Sequence, residues 1–406
     1  MSRKTKSIVA SLDIGTSNTR IIVGEISEDR NVNIIGIGRS ESLGLRKGTI
    51  VDLDNTVRSI KEAVDQAERM VGINIDSVYV GVSSAHVQVM KNRGVVAVSN
   101  DDKEITRQDY DRALDGAGVV AIPPEMEIIE IVPTNFIVDG YDGIKDPIGM
   151  IGVRLEVDAL IMLAKSTVMK NLTKCVQRAE LGISGYVVSN LASSDVALND
   201  DEKELGAVLI DIGGGTTEIS VFQNGSLAKK SVIPIGGGHI SSDISQGLKV
   251  PLAEGEKIKL KYGTTIYPGE GQNPSFEVTT VGKKTEEISV ETLVGVIEPR
   301  VQEIFYMVNK ELSEMGYNDE LPGGVVLTGG VASLEGIDSI AQVQLGNSVR
   351  IYQPEFIGVA DPTYTTGVGI IKQAVGNVDE SVPVIKEKKS VSIIDKIKDL
   401  FNDFFG

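Results

Sequence analysis

Apolar and polar residues alternate along short segments near the N-terminus, which predicts half-buried strands. These segments are rich in β-branched residues, are separated by glycine, and cover residues 8–12, 21–26 and 32–38. Between residues 54 and 71 the apolar positions follow helical spacing instead, which predicts an amphipathic helix. Asp54 or Asn55 is its expected N-cap, and Gly72 lies just beyond its end.

The pattern changes between residues 85 and 162. Short strands are predicted there at 94–98, 128–138 and 153–157, with one helix at 106–117. We interpret this stretch as a small α+β subdomain inserted into the first domain. A helical pattern then returns at 166–181 and stops at Gly182.

A second series of strands begins near residue 205, and helices follow it. Helical patterns cover residues 240–262 around Pro251, 290–315 and 363–375, whereas 275–289 and 324–327 are predicted strands. Strands and helices therefore alternate in both halves of the chain, which is typical of an α/β protein.

The two strand series contain the same motif. SIVASLDIGTSNTRIIVGEI, from Ser7, aligns with LGAVLIDIGGGTTEISVFQN, from Leu205. The alignment matches Asp13 with Asp211, Gly15 with Gly213 and Thr19 with Thr217. The spacing is far longer than the period of a repeat array, so the sequence predicts two similar domains.

A glycine turn between two strands lets backbone approach a ligand closely. Backbone N–H groups and hydroxyls in both turns can donate to phosphate oxygens, from Thr16, Ser17, Asn18, Gly214, Gly215 and Thr216. Asp13 and Asp211 would hold Mg²⁺, through water, since Mg²⁺ keeps most of its hydration shell. Two ordinary glycine hairpins are the alternative. A third element, LTGGVASLEG from Leu327, adds a turn that can pack flat against adenine or ribose.

Composition narrows the choice of function. The formal net charge of −17 disfavours nucleic acid as a partner, because phosphate binding needs a basic surface. The single cysteine, Cys175, suits a reducing cytoplasm, and the two histidines make a histidine metal site improbable. No segment reaches the roughly 18–20 apolar residues that span a bilayer.

These three motifs, in this order, resemble the actin-like superfamily, and within it the FtsA family of bacterial cell-division proteins. The segments SNLASSDVALNDDEKELGAVLIDIGGGTTEI and IPIGGGHISSDIS, and the insertion, are typical of that family. The resemblance implies an actin-like α/β fold, with two duplicated ribonuclease-H-like domains flanking a nucleotide cleft. It divides the chain into subdomain IA at 1–84 and 163–197, IC at 85–162, IIA at 198–245 and 305–375, IIB at 246–304, a disordered linker at 376–390 and a terminal helix at 391–406.

The resemblance implies that ATP and Mg²⁺ bind in the cleft. The expected nucleotide-binding residues are Asp13, Gly15, Thr16, Ser17, Asn18, Asp211, Gly213, Gly214, Gly215, Thr216, Thr217, Gly237, Glu256, Lys259, Gly329, Gly330 and Val331. Glu256 and Lys259 would bracket adenine and ribose, although an i,i+3 surface ion pair is the alternative. Brisk ATPases of the superfamily carry Gln or Glu where a rough alignment places Asn190. We therefore expect ATP hydrolysis to be slow or negligible.

The last sixteen residues, VSIIDKIKDLFNDFFG, separate apolar from polar positions with helical spacing. The apolar positions are Ile393, Ile394, Ile397, Leu400, Phe401, Phe404 and Phe405. Docking on the protein itself is one alternative. Shallow insertion into a membrane interface is the other, and the polar linker and the family resemblance favour it.

The resemblance implies a protein that polymerises on the cytoplasmic face of the bacterial membrane at the division site. It would tether the tubulin-like protein FtsZ there, and later division proteins would bind the inserted subdomain. Arg300 and Glu303 are the expected contacts for the FtsZ tail, with solvated helix charges as the alternative reading. A pilus-assembly ATP-binding protein and a sugar or metabolite kinase are the alternative functions.

Overall fold

The computed structural model describes residues 7–376 except 28, 273 and 318–320. The predicted linker beyond Gly376 and the predicted terminal helix at 391–406 therefore lie outside the described residues. Within the described part of the chain, no helix combines the length and the apolar character needed to cross a membrane.

The secondary structure alternates between strands and helices in both halves of the chain. The strands are β1 Ser7–Ile14, β2 Asn18–Ile26, β3 Val32–Glu41, β4 Leu45–Arg46, β5 Thr49–Ile50, β6 Ser77–Val82, β7 Val87–Ala97, β8 Met126–Val138, β9 Tyr141–Ile144, β10 Arg154–Lys165, β11 Gly182–Val188, β12 Ala207–Ile212, β13 Thr217–Gln223, β14 Ser226–Ile233, β15 Ser275–Thr279, β16 Thr285–Ser289, β17 Val325–Thr328 and β18 Val349–Ile351. The helices are α1 Leu53–Val71, α2 Arg107–Gly118, α3 Ser166–Arg178, α4 Ser189–Ala197, α5 Asp200–Leu205, α6 Gly237–Gly247, α7 Leu252–Tyr262, α8 Val290–Glu314, α9 Ile337–Leu345 and α10 Thr365–Gly376. Short 3₁₀ turns occupy Ser84–His86, Gly330–Ser333 and Pro362–Tyr364.

The first domain is built on a sheet with the strand order β11-β6-β1-β2-β3. β1 and β2 pair antiparallel, and β6 joins β1 in parallel. Helix α1 packs on β3, and its cap is Asp52, whose side chain accepts from the Asn55 N–H at 3.0 Å. The predicted cap at Asp54 or Asn55 is therefore wrong, because the helix begins earlier, at Leu53. Gly72 ends the helix with φ of 73°, as predicted.

The insertion forms a separate sheet with the order β7-β10-β8-β9, and α2 covers one face of it. Thr106 caps α2 in a capping box with Asp109. The strands extend further than predicted, since β7 begins at Val87 and β10 continues to Lys165. β10 therefore leads straight into α3, which returns the chain to the first domain.

The second domain repeats the first. Its sheet has the order β14-β13-β12-β17-β18, in which β12 pairs antiparallel with β13 and parallel with β17. The duplicated motif thus forms the same hairpin and the same parallel neighbour in both domains. A smaller part contains α7 and the β15–β16 ribbon, and α6 and α7 are separate helices with Pro251 between them. The predicted boundary between residues 304 and 305 falls inside α8 and stays a prediction.

We expect Gly38→Ala to destabilise the first domain. A Cβ at this buried strand position would overlap the Ala63 carbonyl of α1, so strand and helix would have to separate. The expected loss is about 1–3 kcal/mol of unfolding free energy, measured by urea denaturation. Gly295→Ala is the control, because nothing lies within 4 Å of its Cβ and alanine favours a helix. Equal stability of G38A and wild type would contradict this packing.

Candidate functional site

The turns of the two duplicated hairpins face each other. In the first turn the Gly15 N–H donates to the Asn18 carbonyl at 3.0 Å, and in the second the Gly213 N–H donates to the Thr216 carbonyl at 2.9 Å. A Cβ on Gly214 would overlap the Ser17 hydroxyl, so the two loops are in contact. Glycine is required at 214 for this close approach.

Two further glycine segments complete the walls. The N-terminus of α6 lies on the second turn, where the Gly237 N–H donates to the Gly213 carbonyl at 2.9 Å. At the end of β17, Gly329 has φ of 85°, and a Cβ there would overlap a carboxylate oxygen of Asp211. Glycine adopts this conformation readily, and its lack of a side chain lets the following turn lie against the Asp211 side chain.

The four segments enclose a cleft of about 440 Å³, within the roughly 300–1,000 Å³ typical of ligand pockets. It is lined by fifteen of the residues predicted to bind nucleotide, namely Asp13, Gly15, Thr16, Ser17, Asn18, Asp211, Gly213, Gly214, Thr216, Gly237, Glu256, Lys259, Gly329, Gly330 and Val331. Gly215 packs on Thr16 and the backbone of Lys47 instead. Thr217 is fully buried, and its hydroxyl donates to the Ile235 carbonyl at 2.9 Å, so its side chain supports the loop from behind.

Glu256 and Lys259 form the predicted i,i+3 pair on α7, with 2.6 Å between Nζ and Oε2. The Lys259 side chain is only 10 % exposed, and it also donates to the Ser241 hydroxyl at 2.9 Å and the Gly237 carbonyl at 3.1 Å. These contacts fasten α7 to the glycine end of α6. The pair is thus part of the cleft wall and differs from an ordinary surface ion pair.

Three carboxylates crowd the centre of the cleft. Burial raises the pKa of Asp211 to about 7, and the nearby charges of Glu218 and Asp13 add to the effect. Burial also raises the pKa of Asp13, which the Arg20 guanidinium opposes. Such mutual repulsion is relieved when a cation enters.

Arg20 and Glu218 line the cleft but were not predicted. They occupy the same position in the two hairpins, since Asp13 pairs with Arg20 across the first and Asp211 with Glu218 across the second. Arg20 Nε is buried and has no hydrogen-bond partner among the described residues. Burial lowers the pKa of this guanidinium. The alignment of the two copies of the motif could have identified both residues, because Arg20 follows Thr19 and Glu218 follows the matching Thr217.

The donor set fits Mg²⁺ held through water. Across the described residues, no group of three or more His, Cys, Asp or Glu side chains is arranged to hold a metal ion directly. Asp13 and Asp211 nevertheless face one cleft together, and a hydrated divalent cation would be held there by hydrogen bonds from its water ligands.

The placement of Asn190 corrects the sequence alignment. Asn190 is buried and does not line the cleft, and its amide donates to the Ser220 hydroxyl at 2.8 Å. Ser189, the first residue of α4, faces the cleft instead. Adjacent residues of a helix point about 100° apart, so a shift of one residue exchanges the side chain that meets the ligand.

Arg300 and Glu303 lie on α8, away from the cleft. Arg300 forms a two-bond pair with Asp243 of α6, at 2.6 and 3.0 Å, and it also pairs with Glu303. Half of the Glu303 side chain is exposed, whereas Arg300 is largely covered. Arg300 therefore joins two helices, and Glu303 is the more accessible of the predicted partner contacts.

Two family models match this sequence. A model described as cell division protein FtsA matches residues 208–369, and a model described as the SHS2 domain inserted in FTSA matches residues 84–163. The second match covers the predicted insertion at 85–162. Cell division protein FtsA of Bacillus subtilis is 47% identical over 91% of this chain and 84% of its own length. The Pseudomonas aeruginosa protein of that name is 37% identical over 90% of this chain and 88% of its own length.

Solved structures of distant sequence share the fold. The PilM–PilN complex of type IV pilus biogenesis has a TM-score of 0.64 at 15% identity, covering 90% of this chain and 98% of that one. MreB5 of Spiroplasma citri bound to ADP has a TM-score of 0.55 at 15% identity, covering 92% and 99%. The MamK double helical filament has a TM-score of 0.53 at 12% identity, covering 93% and 99%. The predicted actin-like fold is therefore confirmed.

We expect ionisation of Asp211 to destabilise the ligand-free protein increasingly as the pH rises from about 4 to about 7. Asp211 holds its proton more tightly when folded, with a pKa of about 7 against an ordinary 3.8, so its ionisation opposes folding. Asp211→Asn removes this effect, and its advantage over wild type should grow with pH to at most ~4 kcal/mol. Urea denaturation at pH 5 and pH 8 measures it, with the exposed Asp201→Asn as control. An advantage independent of pH would refute the assignment.

Proposed function

This chain belongs to the FtsA family of cell-division proteins, and from that premise we propose that it is an ATP-dependent membrane tether. It binds ATP with Mg²⁺ in the cleft, polymerises on the cytoplasmic face of the bacterial membrane, and holds the FtsZ ring there at the division site. The proposed binding of ATP rests on the contact between the two duplicated glycine turns, which encloses the cleft from both sides.

Phosphates belong at the turns. The loop backbone at Gly214 and the hydroxyls of Thr16 and Ser17 supply donors without a large side chain in the way. Arg20 adds a buried positive charge with a free Nε–H among the described residues. Asp13 and Asp211 hold the hydrated Mg²⁺ that accompanies the triphosphate.

The adenosine belongs on the opposite side. Gly330 and Val331 offer a flat wall after β17, and the Glu256–Lys259 pair borders it on α7. Leu260, also on α7, lines the cleft and is 64% exposed, so an adenine ring there would cover apolar surface. The MreB5 structure, which shares this fold, is described as bound to ADP.

We expect slow ATP hydrolysis, as the sequence predicted, but the residue responsible is Ser189 and not Asn190. Ser189 lines the cleft where Asn190 was expected, and a serine hydroxyl is a poor base for water. The Glu218 carboxylate is already engaged by the hydroxyls of Ser83 and Ser84. ATP then acts mainly as a ligand for conformation or polymerisation.

Polymerisation and partner binding need accessible surfaces. The insertion exposes large apolar side chains at Tyr141, Ile151 and Val153, each 59% exposed or more, which suits later division proteins docking there. We propose that the FtsZ tail binds α8. Glu303 is the accessible contact there, whereas Arg300 joins α8 to α6. The pilus alternative loses support because the likeness to PilM is one of fold at 15% identity. The kinase alternative loses support because the FtsA relative of Bacillus subtilis is 47% identical over 91% of this chain.

Membrane attachment is assigned to residues 391–406 from their sequence. Seven large apolar side chains share one predicted face, and burying each contributes about 1.5–3 kcal/mol before the cost of ordering the helix. The segment has two lysines against three aspartates, so charge does not drive it to an anionic surface. Several copies in a filament would bind more firmly than one.

Lys259→Ala should weaken ATP binding about tenfold, which corresponds to ~1.4 kcal/mol. The change removes the ion pair with Glu256 and the bond to the Gly237 carbonyl, so α7 is held less firmly against α6 and the adenosine wall is weakened. Isothermal titration with ATP and Mg²⁺ measures the dissociation constant. Lys257→Ala on the same helix is the matched control, because that side chain is 74% exposed and pairs with Glu254 at the surface. Equal affinities for the two variants would argue against this wall.

Phe401→Glu should lower the fraction of protein that floats with phosphatidylethanolamine–phosphatidylglycerol vesicles at least tenfold, since a buried phenylalanine contributes about 1.5–3 kcal/mol. Asn402→Glu adds the same charge at a polar position and is the control. Purified FtsZ added to the assay should float with wild type and stay behind with F401E. Unchanged flotation of F401E would sink the membrane assignment, and FtsZ that never floats with wild type would sink the tether.

A further inference from the structure

One of the two chain connections between the first domain and the insertion is a short segment, residues 83–86, which we call the root. It joins the end of β6 to the start of β7 and contains the 3₁₀ turn Ser84–His86. Ser83 lines the cleft, and Ser84 is almost completely buried. The root therefore lies beside the candidate nucleotide site and continues directly into the insertion.

Side chains of the second domain hold one side of the root. The Ser83 hydroxyl donates to one oxygen of Glu218 at 2.8 Å, and the Ser84 hydroxyl donates to the other. Lys230 of β14 donates from Nζ to the Ser84 carbonyl at 2.7 Å. Burial lowers the pKa of Lys230, while the charge of Glu218 opposes the shift. A carboxylate and an ammonium from adjacent strands thus hold two consecutive root residues across the cleft.

The β4–β5 hairpin of the first domain holds the other side. His86 Nε2 lies 2.9 Å from the Gly48 carbonyl, and because a carbonyl only accepts, this nitrogen carries the proton. The Gly48 N–H in turn donates to the Thr16 hydroxyl, at 2.9 Å, in the first turn of the cleft. A chain of two hydrogen bonds therefore runs from a candidate phosphate contact to the root.

The root is thus bonded to both walls of one cleft. Glu218 and Lys230 belong to the second domain, whereas Gly48 and Thr16 belong to the first. When the domains close on a ligand, the root cannot keep both sets of bonds in place without moving. Because His86 is followed directly by β7, that movement is passed to the insertion, which has an apolar core of its own and also packs on the first domain through Val87 and Leu160.

We propose that the root is a clasp that couples closure of the nucleotide cleft to the orientation of the insertion. This inference rests on the proposed binding of ATP in the cleft. Bound ATP selects one orientation of the insertion. The bonds that transmit this effect are those of Glu218 and Lys230 on one side of the root and that of His86 on the other. The exposed apolar surface of the insertion is then presented differently in the two states.

Spin labels test the clasp. Cysteines replace the exposed Glu62 of α1 and Asp101 of the insertion, and the buried Cys175 stays protected from labelling. Double electron–electron resonance compares the full-length protein without nucleotide and with ATP and Mg²⁺. In the wild-type background, ATP should shift the distance distribution. Ser84→Ala combined with Lys230→Ala should lose at least half of that shift, while ATP affinity stays within about twofold.

The controls separate the outcomes. Lys229→Ala removes an exposed lysine next to Lys230 and should keep the full shift. His86→Phe breaks the opposite side of the clasp and should also reduce the shift. This variant tests the clasp even if the double variant folds poorly. ATP binding without any shift in wild type, or a full shift in both clasp variants, would overturn the clasp alone. Absence of ATP binding would overturn the proposed function, and the clasp with it.

Discussion

The contact between two glycine turns is the constraint on which the rest of the structure depends. Gly214 lies so close to Ser17 that any side chain at that position would overlap it. Because each turn ends a strand that carries an aspartate, the contact also brings Asp13 and Asp211 towards one point. Burial raises the pKa of Asp211 to about 7, and the charges of Glu218 and Asp13 raise it further. The fold thus creates a buried acidic site in which a bound cation would relieve the repulsion between the carboxylates.

The duplication preserves this geometry but not its charge. Arg20 and Glu218 occupy the same position across the two hairpins, each paired with the aspartate of its own turn. In the first domain the Arg20 guanidinium opposes the rise that burial causes in the pKa of Asp13, and its buried Nε has no hydrogen-bond partner among the described residues. In the second domain the carboxylate adds to the repulsion, and the serines of residues 83 and 84 engage it. The β1–β2 hairpin is therefore suited to an anionic ligand, and the β12–β13 hairpin is bonded to the root of the insertion.

Features encoded by local periodicity could be predicted from the sequence. Helix α1 with Gly72 at its end, the duplicated hairpins and the insertion all have such patterns. Strands β6 and β11 were not predicted, since they are short, contain glycine, and pair in parallel with partners distant in sequence. The exchange of Asn190 for Ser189 has a similar origin. The start of α4 decides which of two neighbours faces the cleft, and no local pattern fixes that start within one residue.

The distribution of apolar and polar contacts determines how the cleft can open. On the side of α4 and β12, one apolar cluster joins the domains, with Leu198, Leu209 and Val326 among its buried members. On the side of the glycine turns and residues 83–86, the domains meet through the close approach of Gly214 to Ser17 and through hydrogen bonds. Exchanging such a bond for water costs about 0.5–1.5 kcal/mol, whereas exposing a large apolar side chain costs about 1.5–3 kcal/mol. The second domain should therefore rotate about the apolar side, and the largest displacement falls where the insertion begins.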